Sequence, residues 1–330
     1  MVEKVSKMYS FRKRLKLLYF SLIKIADSRR LLEKIRADGA LVILNLHKVS
    51  PQKNPYYPAL NPKHFETLLQ FVTRHFDIVT FGDLQGYVRT SEKTPLILSF
   101  DDGFHDFLDY AAPLLDRYGV RANLNIIPEC VESGLPVWDV LLGDFLLSVD
   151  PVLLNELNMP GFSMKPNRNS PTAYALALTS YLKKYPRKRR REYWKEIKRL
   201  MERTEMTPTP MLNRNEVKSL ATVHEIGVHS FSHESMGLEN EEFFRKDFQR
   251  CVDYFQNVLH LPMEIYAFPN GSYREEQIDF LLREGVEHVL LVNETFSSPS
   301  VRVHQRFTFY GDSTAEIELR SLGWQRNIEI

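Results

Sequence analysis

The chain has 330 residues, with 43 Lys or Arg against 42 Asp or Glu for a net charge of +1, and it is 43% apolar and 12% aromatic. That is enough apolar material for one large α/β domain or two ordinary ones. The near-zero charge lacks the field that holds nucleic acid non-specifically, so no nucleic-acid partner is expected.

In chain order, the span Tyr9 to Ile35 alternates basic residues with Leu, Tyr, Phe and Ile at helical spacing, so residues 1–38 read as a helical N-terminal arm. The pattern suits a helix covering one end of a folded domain, and it also suits peripheral contact with an anionic membrane. Its apolar stretch Leu17 to Ile25 is interrupted by Lys24 and no small-residue cleavage site follows; no run approaches the ~20 apolar residues of a membrane span. A cytoplasmic protein without a transmembrane segment is expected. The two cysteines, Cys130 and Cys251, have no partner nearby for a zinc knuckle or redox pair and read as buried thiols.

Short apolar runs bounded by turn residues follow at 41–46, 96–100, 122–127, 225–228, 265–268, 288–292 and 301–309. Between most of them lie stretches of helical periodicity, at 64–71, 110–118, 241–259 and 275–284. Such alternation predicts a parallel sheet, open or closed into a barrel, over residues 39–330. The span from about 136 to 210 departs from it and reads as a helical insertion, whose basic run Lys183 to Arg191 suits a solvated helix face.

Three strand ends carry chemistry. Leu96 to Phe100 runs into Asp101-Asp102-Gly103. Neighbours on a regular strand point to opposite faces, so both carboxylates serve one site only if the chain turns there, and Gly103 permits the turn. A cation or a shared proton would relieve their repulsion; a plain turn capping a helix from Phe104 would explain the pair as well. The second strand end is Glu225 to Val228, followed by His229-Ser230-Phe231-Ser232-His233. Histidines four apart share one face of a helical turn and can reach one ion, which makes a His-His-Asp zinc site the leading reading. Three protein ligands leave a position open for water, as catalytic zinc sites do. The third is Tyr266 to Gly271, whose Pro269-Asn270-Gly271 turn would wall a groove or merely close a βα unit.

Taken in order, Leu44-Asn45-Leu46-His47-Lys48-Val49, Phe100 to Gly103, Leu212 to His233 and Tyr266 to Gly271 resemble the polysaccharide deacetylases, the NodB-homology group of carbohydrate esterases. Within it the first strand is similar to that of the poly-N-acetylglucosamine deacetylase branch. The resemblance covers roughly residues 40 to 292 apart from the insertion. It implies a distorted (β/α)7 barrel and hydrolysis of the acetamide on N-acetylhexosamine units of a polysaccharide or lipid-linked glycan. It also implies Asp101 as general base, with Asp102, His229 and His233 holding a divalent metal, most simply Zn2+.

Where many relatives carry a base-orienting arginine, this chain has Ala267, and Arg306 on the last strand is the first choice to replace it. For the acid that protonates the leaving amine, the candidates are His304, then His47 at the mouth of the first strand, then His105. Trp138 and Asp139, opening the insertion, are placed to line the sugar groove, although Trp138 suits a core equally. A catalytically silent glycan-binding module on the same barrel is the alternative reading, motivated by the missing arginine. Another metal-dependent barrel hydrolase with a different substrate is the third.

Overall fold

The computed structural model describes residues 2–87, 93–165 and 171–325. A 36-residue helix, α1 (Val2–Ala37), leads into the first strand, β1 (Val42–Leu46). Left-handed Gly39 stops the helix, and the Ala40 N–H donates back to the Ile35 carbonyl. Then come α2 (Pro62–His75), β2 (Phe76–Ile78), β3 (Thr94–Phe100), a wide turn over 107–111 running into α3 (Ala112–Arg117), and β4 (Asn123–Ile126). The short α4 (Pro128–Ser133) precedes α5 (Trp138–Ser148), α6 (Pro171–Leu182) and α7 (Arg187–Met201). The alternation resumes with α8 (Arg214–Leu220), β5 (Glu225–Val228), α9 (Glu241–Tyr254), β6 (Ile265–Ala267), α10 (Glu275–Arg283) and β7 (His288–Leu291). It ends in β8 (Val303–Gln305), β9 (Phe307–Thr308) and α11 (Thr314–Ser321).

All pairings in the sheet are parallel, in the order β8-β7-β6-β5-β4-β3-β1-β9, with β2 added beside β3. Strands β8 and β9 are one extended segment interrupted at Arg306. Its first half pairs with β7 (Leu290↔His304) and its second half with β1 (Leu44↔Phe307). The last strand therefore closes the ring, and a (β/α) barrel of seven extended segments results, as the resemblance implied.

Side-chain alternation sorts the residues into two cores. Outward-facing Val42, Leu44, Leu46, Leu96, Leu98, Phe100, Val228, Tyr266 and Phe307 join the helices in the main apolar cluster. Inside the barrel, the N-terminal end is filled by Leu41, Ile43, Ile97, Ile265, Ala267 and Leu290, plugged from below by Phe81 and Leu84. One layer higher the interior turns polar, with Asn45, Ser99, Asn123, Asn125 and Arg306 all buried. Gly227 is bare because a Cβ there would stand 2.2 Å from Asn125 Oδ1 and 2.9 Å from Ile265. Helices α5 to α7 pack around a separate cluster that includes Leu142, Phe145, Leu178, Leu182, Ile197 and Leu200.

Glu225 ties the plug to the barrel by accepting the Phe81 N–H at 3.0 Å and the Gly82 N–H at 2.7 Å. Burial pushes its pKa up to about 7 against the pull of those two bonds. A carboxyl raised in the folded state contributes its full stability below the unfolded value and loses it as pH climbs through the folded one. Stability is therefore expected to fall between about pH 5 and pH 8. Glu225→Gln should remove on the order of 1–2 kcal/mol of that dependence, read from urea midpoints across pH.

Candidate active site

The polar end of the barrel opens into a cleft of about 340 Å³ at the C-terminal ends of the strands, where parallel α/β folds place their ligands. Asp101 and Asp102 reach it because the chain turns through two left-handed residues, Asp102 at φ 76° and Gly103 at φ 73°. The bend starts one residue earlier than glycine alone would place it. Phe104 then bridges to Met211 instead of starting a helix, and the wide helical turn begins at Phe107.

The two aspartates occupy different surroundings. Asp101 lies in a fork of the Arg306 guanidinium, whose two terminal nitrogens donate to Oδ1 at 2.9 Å and to Oδ2 at 2.8 Å. Asn125 Nδ2 adds a third donor at 2.8 Å. Arg306 also donates to Ser99 Oγ at 3.0 Å and Asn45 Oδ1 at 3.2 Å, so its charge is distributed over the interior ring of polar residues. Burial would raise the pKa of Asp101, but Arg306 outweighs it and, with His229, holds the carboxyl well below the ordinary range.

Asp102 instead faces the histidines. Its Oδ1 is buried without a hydrogen bond of good geometry, although His233 Nε2 lies 3.3 Å away and His229 Nε2 3.7 Å away. Burial again opposes ionisation, and the His233 ring more than offsets it, keeping Asp102 below the usual range. His229 donates from Nδ1 to the Ala267 carbonyl at 2.9 Å, which fixes the tautomer and leaves Nε2 bare toward Asp102. Burial lowers its pKa to about 4, so it is neutral near pH 7. His233 is pulled down by burial and pushed up more strongly by Asp102.

One donor atom each from Asp102, His229 and His233 lies within 4.8 Å of the others. The edges of a tetrahedron with ~2.0–2.1 Å metal–ligand bonds measure roughly 3.3 Å, and the 3.3 Å and 3.7 Å separations of Asp102 Oδ1 from the two Nε2 atoms come near that, so the donor set suits a divalent cation. An orphaned carboxylate oxygen facing a bare imidazole nitrogen supports the same conclusion, since both want a cation and neither supplies one.

The His-x-x-x-His spacing works differently from the expected helical turn. Residues 229–233 form an irregular loop in which Ser230 and His233 are both left-handed, at φ 54° each. Ser230 Oγ accepts the His233 N–H at 2.8 Å, and the buried Asp247 on α9 accepts from the Phe231 N–H at 2.8 Å and Ser232 Oγ at 2.6 Å. These side-chain bonds bend the loop so that both rings face Asp102.

Other expected residues divide. His47, Asn270 and Gly271 line the cleft, as does Asp139. Pro269 starts the turn but is buried behind the wall. Trp138 turns away, packing edge-on to Trp194 with the Arg190 guanidinium over its ring, because its neighbours Val137 and Asp139 take the cleft-facing positions of the α5 start. His304 points into the barrel but one layer too low. Its ring nitrogens meet His288 Nδ1 and Ser297 Oγ at 3.0 Å each, and burial lowers its pKa to about 3, so it is not brought to the reacting end. His105 is occupied by Asp109 and Glu216 outside the cleft.

Two residues in the cleft were not singled out in the sequence. Lys183, first of the basic run, pairs with Asp139 at 2.6 Å and with Asn270 Oδ1 at 3.2 Å, so the insertion forms one wall of the cleft. The run is not merely a solvated face, since Arg187 and the buried Arg190 also pair with Glu234. Tyr57, on the loop after β1, donates its hydroxyl to Asp102 Oδ2 at 3.1 Å. Outer hydrogen bonds of this kind hold a metal-binding carboxylate in place, so Tyr57→Phe is expected to weaken metal affinity by about tenfold or more. Titration with a competing chelator would measure it.

A parallel (β/α) barrel carries this constellation at its C-terminal mouth, the arrangement the resemblance implied. Residues 192–289 match the sequence model of the polysaccharide deacetylase family. Among solved structures, the chain is similar to the deacetylase PplD of Streptococcus pyogenes, with TM-score 0.57 and 16% identity over 86% of this chain and 98% of that one. It is likewise similar to IcaB from Ammonifex degensii (TM-score 0.54, 15% identity, 86% and 97% covered) and to a de-N-acetylase from Aggregatibacter actinomycetemcomitans (0.54, 14%, 84% and 99%). At such identities these structures speak for the fold. No protein of curated function matches the sequence. Over residues 192–289 the chain is thus similar to the polysaccharide deacetylase family.

Proposed function

We propose that the chain removes N-acetyl groups from N-acetylhexosamine units of a glycan, with a divalent ion, most simply Zn2+, at Asp102, His229 and His233. The observation that carries the reading is the contrast between adjacent aspartates, one locked by Arg306 and one aimed at two imidazoles. Bound there, the ion would polarise the acetamide carbonyl and acidify water. Asp101, ionised and held in a fixed orientation, is placed to take the proton from the attacking water. His47, on the cleft wall edge-on to Tyr57 with their ring centroids 6.1 Å apart, is then the histidine positioned to protonate the leaving amine. Arg306 in the place left open by Ala267 supports an enzyme over a silent binding module, because the base has its orienting cation.

The test is acetate release by the metal-loaded protein from N-acetylated oligosaccharides of several sugars and lengths. No release from any of them, with Asp101→Asn and wild type alike, would sink the proposal. Within it, His47→Gln is expected to lower kcat by about 10²–10⁴ with metal content unchanged, measured by the same assay and by metal analysis.

A further inference from the structure

We infer that the free face of α1 docks on an anionic membrane surface. The inference is independent of the reaction assigned to the barrel, and it begins with charge. Helix α1 carries 11 basic and 3 acidic residues, whereas the rest of the chain carries 32 and 39. The near-neutral total thus conceals a strongly positive helix attached to a negative body. Between Val2 and Lys24 the imbalance is sharpest, with seven basic residues against Glu3 alone.

The second observation is that α1 has two apolar faces. One is used by the body: Phe20 is 1% exposed under Arg320, Lys24 pairs with Glu318 of α11 at 2.7 Å, and Leu31 and Ile35 pack on the main core. At 3.6 residues per turn, Leu15, Leu18 and Leu22 fall about half a turn away from that face. They are 37%, 57% and 59% exposed. In sequence the same three-four spacing runs back through Phe11 and Met8. Further along that face Arg29 and Glu33 replace the leucines and pair with each other at 2.9 Å, so the apolar stripe belongs to the N-terminal part of the helix.

A leucine stripe with this spacing would also suit a second copy of α1. Charge decides between them. Self-pairing would bring two strongly basic helices side by side, while an anionic lipid surface neutralises the same charges and takes up the leucines at the headgroup–acyl boundary. Seated this way, the helix would hold the barrel at the surface.

The experiment is flotation of the full-length, metal-loaded protein with vesicles of phosphatidylcholine containing phosphatidylglycerol, and with vesicles of phosphatidylcholine alone. The expected result is binding at least about tenfold stronger to the anionic vesicles, weakened by added salt. The triple variant Leu15→Ser, Leu18→Ser, Leu22→Ser should lose that binding at unchanged thermal midpoint, because these side chains leave the α11 contact untouched. Lys13→Glu with Arg14→Glu gives a second, charge-based variant with the same expectation. Equal binding to both vesicle types would overturn the inference. So would a wild type that ignores both vesicles, whether it sediments as a monomer or as a dimer that the leucine variant dissociates.

Discussion

Asp101→Asn is expected to lower kcat for acetate release by about 10²–10⁴ while metal stoichiometry stays at the wild-type level. The amide keeps an oxygen for Arg306 but cannot accept a proton from water. Because Asp101 is hydrogen-bonded by Arg306 and Asn125, with His229 Nε2 no nearer than 3.8 Å, the substitution is expected to leave Asp102, His229 and His233 intact. Metal analysis separates this outcome from a collapsed site. Equal loss of metal and activity would make Asp101 a ligand and not the base.

Arg306→Leu should have the largest effect on stability, a loss of about 3–5 kcal/mol at neutral pH, because it removes one partner of a fully buried ion pair. Four hydrogen bonds to Asp101, Ser99 and Asn45 disappear with it. The pH dependence carries a signature. A carboxyl depressed in the folded state adds stability above its unfolded pKa and loses it as pH falls. Asp101 is depressed in the wild type and would rise in the variant, since the Arg306 guanidinium would no longer oppose burial. The stability gap between the two proteins should therefore narrow in acid. Urea unfolding at a series of pH values would show it, and a constant gap would mean that Arg306 acts through packing alone. Arg306→Lys should recover only part of the loss, because an ammonium cannot reproduce the bidentate fork.

Much of this geometry was legible in the sequence. The seven apolar runs correspond to the strands of the ring, since a parallel barrel strand is buried on both faces and shows as an unbroken apolar stretch. Asp101, Asp102, His229 and His233 stood out because strand ends concentrate function. What stayed hidden has a common cause, in that it depends on side chains meeting across long sequence separations. Tyr57 reaches Asp102 from an irregular loop, and Lys183 reaches Asn270 from the insertion. Nothing in their immediate neighbours announces either contact. His304 was misjudged for a different reason. A shift of two residues along a strand keeps the inward orientation but moves a side chain down by one layer, and only the register against β7 reveals that His304 sits with the plug while Arg306 sits with the site.

The split strand that closes the ring also joins fold to site. Residues 303–308 are the last barrel segment in the chain, and they bring Arg306, whose guanidinium fork neutralises Asp101. Without them between β7 and β1, Asp101 would lack its guanidinium counter-charge and the barrel would have an open seam. The segment that completes the ring is thus also the one that fixes the orientation of Asp101. On the proposed reading, a copy truncated before this segment would lack the oriented base whether or not a metal were bound.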